Sequence, residues 1–302
     1  MRVTALIAAS CAALLPACTF VYHVAEKTDS DGIYILRSDG SDPSAGTAYV
    51  GGRYPHVTAD GRLLFVKQDQ VFLGTTQLIT DVGTKREPAP APNAFAYVLV
   101  ISGRTPQIVV RSYAGTEQLR LDSDATGLAF YDGGNKLLFT QHDGLYSTPA
   151  SGTPIPTRVA GCLTTPPAGC GPLAVSHKGQ YLAYYSYAVL AAGRLEYIQI
   201  MQIGTWRPLL RIGPEDFCPS CAAGAPGTPE MLGSFDFGPD DDYLYATVRV
   251  RGPGADARKR DELFRVKLDL TSSPPTVLSP ERLTNNTYPD YYPSTWKGLW
   301  RW

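Results

Sequence analysis

The side chains able to do chemistry in this 302-residue chain are few and scattered. Cysteines stand at 11, 18, 162, 170, 218 and 221, and histidines at 23, 56, 142 and 177. No Gly-x-Ser-x-Gly elbow presents a serine nucleophile, and no His-x-x-x-His pair offers metal-ligand spacing. His56 and His177 stand at or beside turn sequences, where a solvated polar side chain is expected. Asp240-Asp241-Asp242 falls on another such turn. No Gly-spaced ligand loop follows it, so a solvated turn is expected there rather than a calcium site. Arg258-Lys259-Arg260 lies in a long loop able to meet an anionic surface. Together these residues define no catalytic constellation, no cofactor site and no metal site.

The first residues explain one cysteine. Arg2 is followed by an apolar run from Val3 to Leu15. The run fits a secretory signal and is too short for a permanent membrane span. Leu15-Pro16-Ala17-Cys18 resembles the lipobox of bacterial lipoproteins, with Pro16 an untypical second residue. That resemblance implies cleavage before Cys18 and a lipid, palmitate included, on its thiol. Ala8-Ala9-Ser10-Cys11 is a weaker box that would leave too short an apolar core. More than one acyl chain gives stable attachment. Thr19 is not the Asp that commonly retains such proteins at the inner membrane. The expected address is therefore the outer membrane, facing the periplasm or the cell surface.

Export makes the four remaining cysteines, Cys162, Cys170, Cys218 and Cys221, disulfide candidates. Four cysteines allow three connectivities; neighbour pairing is the one preferred. Cys218-Pro219-Ser220-Cys221 has redox spacing. It sits in a Gly/Pro/Ala-rich loop, without the helix N-terminus that lowers a thiol pKa.

These residues need a scaffold, and the composition names its class. Net charge is −1, which gives no argument for nucleic acid. Gly (29) and Pro (25) are frequent, and long helical periodicities are missing, so the chain reads as all-β. One skeleton recurs: a polar turn between two apolar strands. It appears at Pro55–Phe65, Ala91–Val98, Tyr131–Phe139, Ser176–Tyr184 and Gly238–Tyr245, and in shortened form at Pro293–Trp302. Asp, Asn and Gly supply the turn geometry. With the alternating strands that follow each copy, this makes about four strands per repeat, the period of a propeller blade.

The copies resemble the TolB-like six-bladed β-propeller repeat, whose core includes Ser-Pro-Asp-Gly. Gly238-Pro239-Asp240-Asp241 and Thr58-Ala59-Asp60-Gly61 are the best matches; the family's Trp is absent from the internal copies. The expectation is a signal peptide at 1–17, a tether at 18–31 and a propeller at 32–302. Gly32–Asp39 reads as a third strand without a first, and Pro293–Trp302 as a first and second without a third. One blade shared by both termini would close a six-bladed ring and remove its exposed edges.

Topology sorts the loops. Connections between blades, and between second and third strands, lie on one face. The tight turns lie on the other. Both cysteine loops and the Arg258–Arg260 loop fall on the first face, the expected binding face. The functional expectation is a membrane-anchored, monomeric, non-catalytic propeller that binds a protein or envelope polymer. The alternatives are a glycan- or peptide-processing enzyme at the central channel and a purely structural envelope lipoprotein.

Overall fold

The computed structural model describes residues 19–24, 32–37, 49–163, 168–190, 193–219, 230–251, 259–284 and 290–296. The chain opens with β1 (Thr19–Val24), β2 (Gly32–Arg37) and β3 (Tyr49–Val50). Next come β4 to β7 (Gly52–Val57, Leu63–Lys67, Gln70–Leu73, Thr76–Gln77). β8 to β11 are Thr84–Pro90, Ala94–Val100, Gln107–Ser112 and Glu117–Asp122. β12 to β15 are Leu128–Tyr131, Lys136–Gln141, Gly144–Pro149 and Thr157–Gly161. β16 to β19 are Ala168–Val175, Tyr181–Leu190, Gly193–Gln202 and Arg207–Ile212. β20 to β23 are Glu230–Phe237, Tyr243–Arg251, Lys259–Asp269 and Thr276–Arg282, and β24 is Asp290–Trp296.

The protein is an all-β propeller of four-stranded antiparallel blades. Five blades are each built from one continuous stretch: β4–β7, β8–β11, β12–β15, β16–β19 and β20–β23. Among the described residues one further four-stranded sheet draws on both ends of the chain, in the order β24-β1-β2-β3. β24 packs against β20 on one side and β4 on the other.

This sheet corrects two expectations. The stretch 18–31 is not a tether throughout, because Thr19–Val24 is a strand paired along both edges. Thr19 faces Trp296 on β24 and Arg37 on β2; Val24 faces Asp290 and Gly32. The second strand of the sheet therefore comes from the N-terminal side, where Pro293–Trp302 was expected to supply it. Residues 297–302 lie outside the described residues, as does the signal segment 1–18.

The core is a set of apolar seams between neighbouring blades. Val66, Phe95 and Tyr97 fill the first, Ala96, Leu128 and Phe139 the second, and Leu138, Leu173 and Leu182 the third. Ile198, Phe237 and Phe264 fill another. Ile33 of the two-ended sheet meets Leu63 and Phe65 of the first blade. Each such Leu or Phe contributes roughly 1.5–3 kcal/mol by leaving water. Blades approach closely where side chains are small. A Cβ on Gly127 would lie 2.8 Å from both Leu173 N and Pro172 Cα of the next blade.

The repeated turns are built alike. Gly61 N–H donates to Thr58 O at 2.9 Å, Gly179 N–H to Ser176 O at 2.8 Å, and Asp241 N–H to Gly238 O at 2.9 Å. The fourth residue adopts positive φ each time, at 80°, 70° and 64°. Asp241 thus fills a position that favours glycine. Four of the inner strands carry an X-Pro step in a register shift: Tyr54-Pro55, Glu87-Pro88, Gly171-Pro172 and Tyr292-Pro293. Proline lacks an N–H, and a bulge leaves the ladder position that it cannot fill.

Candidate functional site

The inner strands β4, β8, β12, β16, β20 and β24 converge on a cavity of about 210 Å³. Its lining divides by chemistry. His56 comes from β4, Asp236 from β20, and Ser294 and Thr295 from β24. Opposite lie Ala89 of β8, Leu128 and Phe130 of β12, and Leu173 of β16. Thr58, Ala59, Pro92 and His177 belong to the turns that follow the inner strands. The cavity therefore sits toward the tight-turn face, opposite the face expected to bind.

The polar side is a network that ties blades together. Asp236 accepts from Phe237 N–H and Thr295 N–H, both at 2.9 Å. The Thr295 hydroxyl donates to Phe237 O. His177 Nε2 lies 2.9 Å from Thr295 Oγ1. Val57 N–H donates to Ser294 Oγ at 3.1 Å, which joins β4 to β24. Asp241 accepts from His177 N–H at 2.7 Å and Lys178 N–H at 3.1 Å, fastening the fourth blade to the fifth. Asp241 is buried, so the middle of the acidic run is an inter-blade cap where a solvated turn was expected. His177 is exposed, as its turn position implies, yet its ring reaches across to the two-ended sheet.

Burial displaces the titrations around the cavity. His56 is pushed down to about 4 by loss of hydration and stays neutral at pH 7. Asp236 is raised to about 6 by burial, against the pull of His177 and the backbone N–H donors. Glu87 on β8 is raised to about 7 by burial, with Arg86 pulling the other way. Tyr54 is raised too, first by burial and then by the Glu87 charge. Its ring meets Tyr292 edge-on, with centroids 4.7 Å apart. Among the described residues no three His, Cys, Asp or Glu side chains come together as a metal site.

Among the described residues, the others singled out from the sequence do not line this cavity. Cys162 and Cys170 form a disulfide, with Cα atoms 5.6 Å apart. Cys218 is also disulfide-bonded; Cys221 lies outside the described residues. Arg258 lies outside them as well. Lys259 and Arg260 open strand β22, opposite Arg251 and Val250, where a free loop was expected. Cys18 and the lipobox lie outside the described residues. No helix among those described is long and apolar enough to cross a membrane.

No protein-family model and no curated protein matches the sequence. Solved structures do match by shape, and the class they define is the β-propeller. TolB from Acinetobacter baumannii superposes with a TM-score of 0.65 at 12% identity, over 92% of this chain and 66% of that one. A TolB structure from Agrobacterium tumefaciens gives 0.54 at 10% identity, over 94% and 100%. A chain of the nidogen/laminin complex gives 0.54 at 12%, over 92% and 98%. This chain thus spans just under two thirds of the first TolB. At such identities the likeness concerns the fold alone.

Proposed function

We propose that this protein is a lipid-anchored, monomeric, non-catalytic propeller of the bacterial outer membrane that binds a protein or envelope polymer at its central cavity. The supporting observation is the cavity's division into an apolar wall and a polar wall whose groups already bond one another. Asp236, Thr295, Ser294 and His177 hold blades together, which leaves little free chemistry for turnover. Only the His56 ring, among these, has no hydrogen bond within the described residues. About 210 Å³ is small beside the roughly 300–1,000 Å³ of sites that enclose a whole small molecule. The cavity suits one side chain or one residue of a larger partner.

The six sheets are read here as six blades of one ring, closed by β24 against β1. The support is that each sheet sends its inner strand to the same cavity. Export and lipidation rest on the signal and on Cys18.

The test uses Ala59, an exposed turn residue at the cavity rim. Ala59→Arg places a long cation across the mouth without touching a blade seam. Capture from envelope extracts by the wild type, lost in Ala59→Arg, is the expected result. Equal capture by both proteins places binding elsewhere. A processing enzyme at the same cavity is the second reading, favoured by the displaced titrations of His56 and Asp236. Hydrolysis of envelope glycans or peptides that His56→Ala abolishes would establish it.

A further inference from the structure

Strand β1 fixes where an anchor on Cys18 must emerge. In the first blade the inner strand β4 ends at Val57, opposite Leu63 of β5, and the Thr58–Arg62 turn joins them. In the two-ended sheet β24 ends at Trp296, opposite Thr19 of β1. Thr19 and Trp296 therefore stand where the other blades have their tight inner turn. Cys18 is one peptide bond from Thr19, so its Cα lies within 3.8 Å of a residue paired to the cavity-lining strand. Thr295, next to Trp296, itself lines the cavity.

We infer that the tight-turn face, with the mouth of the central cavity, lies against the bilayer that holds the Cys18 lipid, and that the long-loop face looks away from it. This rests on the lipid anchor proposed above and adds the orientation. No long spacer separates ring from lipid, since Thr19–Val24, expected as tether, is strand. The charge on this face does not itself choose the membrane. Exposed Asp60, Asp132 and Asp240 alternate with Arg62, Lys136 and Lys178. The covalent link sets the orientation, which should persist in high salt. The cavity is then open only to what lies on or in the membrane: a headgroup, or a segment of a membrane-held partner. The opposite face is left to soluble partners. It carries the Cys162–Cys170 loop, the long β17–β18 hairpin and exposed Val82, Val189 and Leu195.

Inner strands of about six residues separate the two faces by about 20 Å, enough for contact quenching to tell them apart. Full-length lipidated protein is reconstituted into phosphatidylcholine vesicles carrying headgroup nitroxides. A bimane is placed on a single introduced cysteine: Ala59→Cys or Thr205→Cys on the tight-turn face, Val82→Cys or Val189→Cys on the other. Emission should be lost at 59 and 205 and retained at 82 and 189, at low and high salt alike. Uniform or reversed quenching overturns the orientation. Flotation and intact mass of the same samples report on the anchor separately. A protein that carries no lipid and does not float overturns both readings. One that floats with reversed quenching overturns only the orientation.

Discussion

Glu87 shows how strain concentrates in neighbouring inner strands. It has φ 52° and precedes Pro88; Tyr54 and Tyr292, each also before a proline, have φ 53°. Non-glycine residues in this region cost about 1–3 kcal/mol each, and persist where the surroundings hold them. Here the bulge and the packing of three adjacent inner strands do so. Glu87 adds an electrostatic cost, because its carboxyl is raised from 4.5 to about 7 by burial. A raised carboxyl favours the proton in the folded state. The fold therefore loses stability as pH climbs from about 4.5 through about 7, and carries the full cost at pH 8. Among the described residues, Tyr54 and Arg86 are the charged or titratable groups that act on Glu87. Glu87→Gln keeps the shape and removes the charge. It should be more stable than the wild type at pH 8 by about 2 kcal/mol, allowing for the partial exposure of the side chain, and equal to it near pH 4. Urea titrations at the two pH values measure this. His56 works in the opposite sense, costing stability as pH falls from 6.5 toward about 4, but it is common to both proteins and cancels. A gain for Glu87→Gln that did not change with pH would remove the charge argument.

Among elements, the internal blades were legible and the two-ended sheet was only half so. Turns such as Ser176–Gly179 announce themselves by Gly at the position that needs positive φ, and the flanking strands alternate. Thr19-Phe20-Val21-Tyr22-His23-Val24 has equally good strand chemistry, all β-branched or aromatic but for His23. It escapes notice because the partners along one of its edges, Ser294 and Thr295 among them, lie over 270 residues away. The cavity was hidden for a related reason. His56 and His177 read locally as turn residues, and nothing local shows that Thr295 will meet His177 or that Asp241 will cap it. Which face carries the cavity also depends on where the inner strands converge, a property of their assembly and not of any one repeat. A proline in β1 separates strand from tether. Val21 pairs with Ile35 on one side and Ser294 on the other, so the strand is central. Val21→Pro should cost about 3 kcal/mol or more. A tether would absorb the same change without a shift in the urea midpoint at constant slope.

At the scale of the whole molecule, the closed ring proposed above would make the position of the chain ends arbitrary. Thr19 and Trp296 are cross-strand partners, so their Cα atoms lie about 5 Å apart. Residues 297–302 and a few glycines are long enough to span that gap. Joining Trp302 to Thr19 and opening the chain between Gly103 and Arg104 gives a circular permutant. That break falls in an exposed turn and removes one backbone bond, from Arg104 N–H to Ile101 O at 3.0 Å. The lost bond costs about 1 kcal/mol, and surface turns with nearby ends tolerate such cuts. In a closed ring, β24 and β1 are then held by a covalent turn like those of the other blades. The permutant should unfold in one cooperative step, within about 2 kcal/mol of the parent. In an open arrangement, the join would instead tie two surfaces that do not belong together. The permutant would then unfold in separate steps or fail to fold. Calorimetry distinguishes these outcomes, since only a single transition has equal calorimetric and van't Hoff enthalpies. The permutant also carries no Cys18. Binding measured on it in solution therefore tests the proposed cavity site apart from the proposed anchor.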